Sequence, residues 1–296
     1  MNYDYEIYTD ATVDIDTGIA QQYGLRYIPM EYMLGDELFR INEPESDQTM
    51  TAFYESLRSR VKTQTSQINP YTYIEVFRPY VISNRPVIYI SLSGGLSSTV
   101  RSAQNAVRLM KMELGNAQIE VVDSFGATIG MGLLVEAALR NRGNGMGFKE
   151  NAAWLRSHAL NVIHQFKVVD LFYLMRGGRI NAASAAIGSA LNLRPLLIIN
   201  NEGRLVTVAK KRGDSLAAKF LVSEYEERRD PMCVPEMKNV VYICHAGCPD
   251  SADDLKAQLL KVNPDIEFRT CPLGPVIGAH TGPDMLAMTF FGRSRE

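Results

Sequence analysis

The sequence has few cysteines and no long apolar run, and both absences restrict the class of protein. Only four of its 296 residues are cysteine. Four thiols are too few for the disulfide framework of a small secreted domain. We therefore expect reduced thiols and a cytoplasmic location. No apolar run approaches the roughly 18 residues of a membrane helix, and the polar first residues do not resemble a signal peptide. We therefore expect no stable membrane insertion.

Excess charge and cofactor motifs are also missing. The net charge is −2 at pH 7, so no overall field favours nucleic acid as a partner. The glycine pair Gly94–Gly95 is not followed by Lys-Ser or Lys-Thr and does not belong to a GxGxxG motif, so a nucleotide site is poorly supported. Cys244, His245 and Cys248 lack a second ligand pair. We expect neither a metal nor a cofactor.

The order of predicted strands and helices indicates an α/β fold with two domains. Up to about residue 160, short apolar segments alternate with segments whose apolar residues recur at three- and four-residue steps, the last of them a predicted helix over residues 148–165. This alternation is typical of a Rossmann-like parallel sheet flanked by helices. The second half contains strands with fewer helices and a predicted hairpin at Asn201-Glu202-Gly203, which indicates a mixed sheet. We predict domains 1–160 and 161–296.

A turn rich in serine and glycine follows one predicted strand. Ser93, Gly94, Gly95 and Ser97 lie where the strand ends and a helix begins. Ligands of open α/β sheets bind at such ends, and a helix N-terminus with added hydroxyls suits a carboxylate or phosphate. Simple capping of the helix explains the serines equally well.

The second half adds a histidine and a basic region. His280 follows the apolar segment 275–279, which we predict as a strand, and its ring can orient a carboxylate. Arg176 and Arg179 precede a segment made mainly of Ala, Gly and Ser at 182–190, which favours either close helix packing or a thin apolar ligand. Between residues 167 and 219, nine Lys and Arg outnumber three Asp and Glu, which is typical of a surface for an acidic partner.

Taken together, these motifs resemble the bacterial DegV family. The matching segments, in family order, are YTDATVDI, TSQIN, SLSGGLSSTVRSA, VVDSFGATIGMG, LMRGGRI, LNLRPLL, AKKRG, HAG and GPVIGAHTGP. The resemblance implies a protein without catalysis of its own that binds one long-chain fatty acid in a tunnel between two domains. It also implies a separate ATP-dependent kinase subunit that converts the exposed carboxylate to an acyl phosphate for phospholipid synthesis.

The same resemblance assigns roles to individual residues. The residues that hold the carboxylate are Thr65, Ser93 and His280. Secondary contacts to the ligand come from Ser66, Gly94, Gly95 and Ser97. The residues that meet the kinase subunit are Arg176, Arg179 and Arg212.

The chain departs from the family pattern at two places. The family turn reads Ser-Ser-Gly-Leu-Ser-Gly-Thr, whereas this chain has Gly94 and Ser98 at its second and sixth positions. The family's final Gly-Pro-Gly is here Gly-Pro-Asp, which adds Asp284. We expect this carboxylate either to raise the pKa of His280 or to weaken carboxylate binding.

Two other hypotheses stay open at this point. The first is an enzyme acting on a small phosphorylated or carboxylated metabolite, with Asp10, Asp123 and His280 as acid–base groups. It predicts a short polar cleft and turnover without a partner. The second is a regulatory protein that senses a lipid and binds another protein through its basic surface.

Overall fold

The computed structural model describes residues 3–181 and 192–296, so the predicted small-residue helix at 182–190 lies outside the described residues. The strands are β1 (Glu6–Asp10), β2 (Arg26–Ile28), β3 (Met30–Leu34), β4 (Glu37–Ile41), β5 (Thr63–Thr65), β6 (Val87–Ser91), β7 (Ile119–Asp123), β8 (Val162–Lys167), β9 (Leu193–Ile199), β10 (Leu205–Arg212), β11 (Val240–His245), β12 (Glu267–Pro272) and β13 (Leu286–Phe291). The helices are α1 (Thr17–Tyr23), α2 (Asp47–Arg58), α3 (Pro70–Ile82), α4 (Thr99–Leu114), α5 (Thr128–Gly143), α6 (Phe148–His158), α7 (Phe172–Arg176), α8 (Asp214–Arg228), α9 (Pro249–Val262) and α10 (Pro275–Thr281).

The first half contains the predicted parallel sheet. Its four strands lie in the order β2-β1-β6-β7, and every neighbouring pair is parallel. Helices α4, α5 and α6 pack against these strands. Because both faces are covered, β1 and β6 are buried along their whole length, and β6 carries the apolar run Val87 to Ile90. The prediction of an α/β fold is confirmed.

A small antiparallel sheet, β4-β3-β5, lies beside the parallel one. Pro29 separates β2 from β3, and each of these strands joins a different sheet. Proline has no N–H to donate to a ladder, so a strand break at this position is expected. Strand β5 ends at Thr65, which is paired with Tyr32.

The second half forms a six-stranded mixed sheet in the order β10-β9-β8-β13-β11-β12. Strands β11 and β12 are parallel, and the other neighbours are antiparallel. The predicted hairpin is β9–β10, which turns at residues 200–204. The mixed sheet is thereby confirmed, and it is built from residues after 160. The exact domain limits, 1–160 and 161–296, remain a prediction.

Two predictions of secondary structure are wrong. The predicted helix over 148–165 ends at His158, and Val162–Lys167 is strand β8, buried throughout. Strand β8 mixes apolar residues with His164, Gln165 and Lys167, all of them buried, so its sequence has neither the period of a half-buried strand nor that of a helix. The predicted strand before His280 is the helix α10, Pro275–Thr281. Pro275 occupies the first turn of this helix, where its missing N–H costs nothing.

Helix α5 lies between the two large sheets and joins the halves. It contacts β1 and β6 on one side and β8, β11 and β13 on the other. Glycine allows this approach: a Cβ on Gly132 would lie 2.2 Å from the carbonyl oxygen of Asp14.

Among the described residues, no helix combines the length and apolar character needed to cross a membrane.

Asp14 is a fully buried carboxylate at the same junction. It accepts hydrogen bonds from the hydroxyl of Thr128 and, at 3.1 Å, from the backbone N–H of Gly274. Burial raises its pKa to about 7, and these hydrogen bonds oppose the rise only in part. Asp14 therefore connects the loop after β1, the start of α5 and the start of α10.

Candidate ligand-binding site

A cavity of about 420 Å³ lies between the two halves of the molecule. This volume falls within the range of pockets that bind small molecules. Residues from both halves line it, because it is bounded by the ends of β5 and β6, the start of α5, and strands β8, β9 and β13. Most of its wall is apolar, including Leu92, Ile129, Phe166, Leu174, Ile199 and Met288. Such a wall suits a hydrocarbon chain better than a polar metabolite.

Thr65 and His280 form a polar pair at the wall of this cavity. The hydroxyl of Thr65, at the end of β5, lies 2.8 Å from Nε2 of His280 in α10. Ser66 and Gln67 continue the polar wall after Thr65. The structure therefore places together the two residues that the family resemblance paired at a carboxylate.

The serine-glycine turn supplies another part of the wall. Gly94, Gly95, Ser97 and Ser98 all line the cavity. The hydroxyl of Ser97 accepts a hydrogen bond of 3.2 Å from the backbone N–H of Thr99, the first residue of α4, whereas the side chain of Ser98, at the N-cap, makes no capping hydrogen bond. Ser97 therefore both lines the cavity and satisfies one backbone donor at the start of the helix.

Ser93 lies behind the wall rather than in it. It is fully buried, and its hydroxyl donates to the carbonyl oxygen of Gly203 at 2.8 Å and accepts from the N–H of Gly95 at 3.1 Å. A Cβ on Gly95 would lie 2.5 Å from the same carbonyl oxygen, so the β9–β10 hairpin tip rests directly on the turn. Here the Ser93 hydroxyl holds the hairpin, and a direct contact to a carboxylate stays a prediction.

The departure at Gly94 has a local explanation. Its N–H donates to Oδ2 of Asp123 at 3.0 Å, and an added Cβ would lie 2.7 Å from that oxygen. A serine at this position would therefore displace the Asp123 carboxylate. The glycine leaves this carboxylate in place to bind the turn.

His280 is a neutral imidazole at pH 7. Burial lowers its pKa to about 4, and the positive charges of Arg179 and Arg176 act in the same direction. The expected rise in pKa from Asp284 is wrong, because that carboxylate pairs with Arg58 at 2.5 Å. His280 therefore contributes a hydrogen bond rather than a positive charge.

A second, wider concavity of about 940 Å³ meets the cavity at Thr65, Arg179, His280 and Thr281. We call it the basic groove; its charged residues are Arg58, Arg60, Lys62, Asp170, Arg176, Arg179 and Asp284. Five cations face two carboxylates, so the groove carries positive charge next to the polar pair. It offers an anion a position beside the cavity opening.

The three arginines assigned to the kinase surface lie in different places. Arg176 donates to the hydroxyl of Thr63 at 2.9 Å, and Arg179 donates to the carbonyl oxygen of Leu96 at 3.1 Å. Both line the basic groove, whereas Arg212 is exposed at the end of β10 and lines neither concavity. The groove brings together only two of the three.

Sequence reasoning missed the other cations of the groove. Arg58, Arg60 and Lys62 lie within five residues, just before the TSQIN segment that contains Thr65. Their closeness to that segment was the available signal. The basic region between 167 and 219 is conversely not one surface, because Lys167 is buried and, with Arg194, pairs with Asp214.

The acid–base groups of the enzyme hypothesis do not meet in the cavity. Asp10 is fully buried and accepts 3.0 Å hydrogen bonds from the N–H of Leu92 and the hydroxyl of Tyr89. Asp123 accepts from the N–H groups of Gly94 and Phe125. Both carboxylates hold turns at strand ends and neither lines the cavity.

Within residues 3–181 and 192–296, no three His, Cys, Asp or Glu are grouped to hold a metal.

This fold is that of a known family. The family model described as "Uncharacterised protein, DegV family" matches residues 4–293. A DegV domain-containing protein of Clostridium perfringens is 31% identical over 292 residues, 99% of each chain. The chain therefore belongs to the DegV family.

Solved structures extend the similarity. A structure described as fatty acid binding of a DegV family protein from Thermus thermophilus has a TM-score of 0.83 and 26% identity, covering 98% of this chain and 100% of the other. The Streptococcus pneumoniae fatty acid kinase (Fak) B3 protein, loaded with linoleic acid, has a TM-score of 0.81 and 16% identity, covering 98% and 99%. The second likeness shows a shared fold.

Proposed function

We propose that this protein binds a long-chain fatty acid and presents its carboxylate to a separate ATP-dependent kinase subunit. The observation that carries the proposal is an apolar cavity between the halves whose wall includes the hydrogen-bonding pair Thr65 and His280. The Thermus thermophilus relative, described as fatty-acid-binding, supports the choice of ligand.

The hydrocarbon chain supplies most of the binding free energy in this proposal. Burial of about sixteen carbons at about 0.8 kcal/mol per CH₂ gives a gross gain near 12 kcal/mol. The loss of translational and conformational freedom offsets a large part of it. The remainder suffices for the ligand to stay bound during purification.

The carboxylate lies at the Thr65–His280 pair in this proposal. With its proton on Nε2, the neutral His280 ring donates to the hydroxyl of Thr65, and this hydroxyl donates its own proton to a carboxylate oxygen. Ser66, Gly94, Gly95 and Ser97 line the adjacent wall. Ser93 contributes directly if its hydroxyl turns from the Gly203 carbonyl oxygen to the ligand, and otherwise through the turn that it holds.

The basic groove provides the route to phosphoryl transfer. Arg176 and Arg179 lie on the groove side of the polar pair, where they stabilise the phosphoryl group that the carboxylate receives. With Arg212 they form the proposed contact surface for the kinase subunit. The acyl phosphate formed there enters phospholipid synthesis.

Mass spectrometry of an organic extract of the purified, denatured protein tests whether the protein binds a fatty acid. We expect close to one fatty acid per chain. An extract free of lipid, from cells that contain ordinary fatty acids, would favour the small-metabolite enzyme.

A reaction with a kinase subunit tests whether the protein presents the carboxylate for phosphorylation. We expect acyl phosphate only when the loaded protein, the kinase subunit and ATP are combined. Formation without the kinase subunit would refute the division of labour.

A further inference from the structure

Helix α2 ends at a residue that is unusual for its backbone conformation. The N–H of Arg60 donates to the carbonyl oxygen of Leu57 at 2.9 Å. The N–H of Val61 donates to the carbonyl oxygen of Ser56 at 3.1 Å, and the two bonds together form a Schellman motif. Arg60 takes the left-handed position of this motif, with φ at 61°. A side chain strains the backbone at such a position, whereas glycine adopts it freely.

Four other helices end with the same two bonds, and each has an expected residue at the left-handed position. These helices are α1, α3, α5 and α7, and the residues are Gly24, Asn84, Gly145 and Gly178. Asparagine tolerates this conformation better than most residues with a side chain. Among these five helix ends in the described part of the chain, Arg60 is the exception. Strained residues of this kind persist where the surrounding structure or a function requires them.

Arg60 and Lys62 are neighbouring cations of the basic groove, and both side chains are exposed. Within residues 3–181 and 192–296, neither side chain forms an ion pair or a hydrogen bond. Arg58 differs, because it pairs with Asp284 at 2.5 Å and donates to the carbonyl oxygen of Gly247 at 3.0 Å. These contacts fix the end of α2. The groove therefore presents the charges of Arg60 and Lys62 from an anchored backbone, and packing within the described chain does not explain them.

The charge pattern of the groove favours a protein surface as its partner. Arg60 and Lys62 lie outside the wall of the cavity, so a ligand inside the cavity is not their partner. The carboxylates of Asp170 and Asp284 lie in the same groove and would repel the uniform negative charge of an anionic bilayer. A protein surface instead can place carboxylates opposite the two cations and other groups opposite the two acids.

We propose that Arg60 and Lys62 form a docking contact for carboxylates on the surface of the kinase subunit, and that this contact offsets the backbone strain at Arg60. The contact is separate from the phosphoryl position at Arg176 and Arg179. It sets how tightly the loaded protein and the kinase subunit associate, and it leaves the rate of transfer within their complex unchanged. The inference rests on the proposed function, because it requires a kinase subunit that receives the loaded protein.

Arg60→Gly tests the contact, because it relieves the backbone and removes the charge in one substitution. We expect the urea midpoint of unfolding to rise and the affinity for a fluorescent fatty acid to stay the same. In steady-state acyl phosphate formation with ATP in excess, the KM for the loaded protein should rise roughly fivefold, the upper range for one exposed ion pair, with kcat unchanged. The ratio of the variant's KM to that of the unaltered protein should fall as the salt concentration rises. Lys62→Ala should change KM in the same direction.

Two further variants separate the charge of Arg60 from its place in the backbone. Arg60→Lys keeps the charge and should keep most of the affinity for the kinase subunit. Asn84→Gly is the matched control, because it makes the corresponding change at the end of α3, outside the groove, and should leave KM unaltered. A KM that rises as much in Arg60→Lys as in Arg60→Gly would overturn a contact based on charge.

The remaining outcomes distinguish this contact from the proposed function. An unchanged KM in Arg60→Gly would refute the docking contact, while fatty-acid binding and phosphorylation would stand. Weaker binding of Arg60→Gly to phosphatidylglycerol vesicles, with KM unchanged, would assign the two cations to a membrane and would also refute it. If the unaltered, loaded protein yields no acyl phosphate with the kinase subunit and ATP, the proposed function fails and the docking contact fails with it.

Discussion

The hydroxyl of Thr65 lies 2.8 Å from Nε2 of His280, although 215 residues separate them along the chain. Thr65 ends a strand of the small antiparallel sheet, and His280 belongs to helix α10, which connects β12 and β13 of the six-stranded sheet. The pair therefore forms only when the two halves are docked. It is also where the cavity and the basic groove meet.

Thr65→Val tests the hydroxyl of this pair. Valine keeps the shape of threonine and removes one donor to the carboxylate, so we expect roughly ten- to hundredfold weaker fatty-acid binding, the range for a hydrogen bond to a charged group. Displacement of a fluorescent fatty acid measures it. Thr49→Val, at the exposed start of α2, is the control and should bind like the unaltered protein. Equal affinity of the two variants would count against the carboxylate position.

The titration of His280 tests the electrostatics of the polar pair. In the ligand-free protein its ring should stay neutral until the pH approaches 4, because burial and two arginines oppose protonation. A bound carboxylate adds a negative charge beside the ring, so we expect the pKa to rise in the complex. NMR titration measures both states, with His280→Gln assigning the signal. A free-state midpoint near the ordinary value for histidine would contradict the prediction.

Ser93→Ala tests the hairpin contact. The substitution removes the donor to the Gly203 carbonyl oxygen and the acceptor for the Gly95 N–H. We expect the free energy of unfolding to fall by about 1–3 kcal/mol, and fatty-acid retention to weaken because the hairpin tip no longer fixes the turn. Urea unfolding and a lipid-transfer assay measure the two effects. Lost retention with unchanged stability would instead point to a direct contact with the ligand.

Arg176→Glu tests the basic groove. Arg176 is exposed and bonds Thr63 at the groove wall, so charge reversal should spare fatty-acid binding and reduce acyl phosphate formation with the kinase subunit at least tenfold. Arg101→Glu, exposed on α4 outside the groove, makes the same charge change and should leave the reaction unaltered. Equal loss of binding and reaction in Arg176→Glu would show a structural role for the arginine.

Asp14→Asn tests the buried carboxylate at the junction of the halves. The pKa of Asp14 is about 7 in the folded protein against 3.8 ordinarily, so the folded state binds more protons between these values. Stability should therefore fall as the pH rises through this window, by at most about 4 kcal/mol, and Asp14→Asn should remove that loss. Urea unfolding at pH 5 and pH 8 measures it. A variant that gains no more at pH 8 than at pH 5 would refute the prediction.

Local sequence accounts for the turn chemistry and for most strands of the molecule. Gly24 ends α1 in the left-handed region, Asn69 caps α3, and the apolar run of β6 is buried as its composition requires. These features depend on sterics and hydrogen bonds between residues that are close in the sequence, so they do not require contacts with distant segments. The ordered motifs also sufficed to predict Thr65 and His280 as partners.

The tertiary structure alone decided how the polar groups are used. In the folded chain the Ser93 hydroxyl donates to the carbonyl oxygen of Gly203, and Asp284 pairs with Arg58. The ring of His164 packs against Gly126 and Gly130. It also made residues 162–167 a strand and residues 275–281 a helix. Contacts between residues far apart in the sequence set the desolvation and hydrogen bonding at such sites, and no local pattern in the sequence encodes which distant group contacts them.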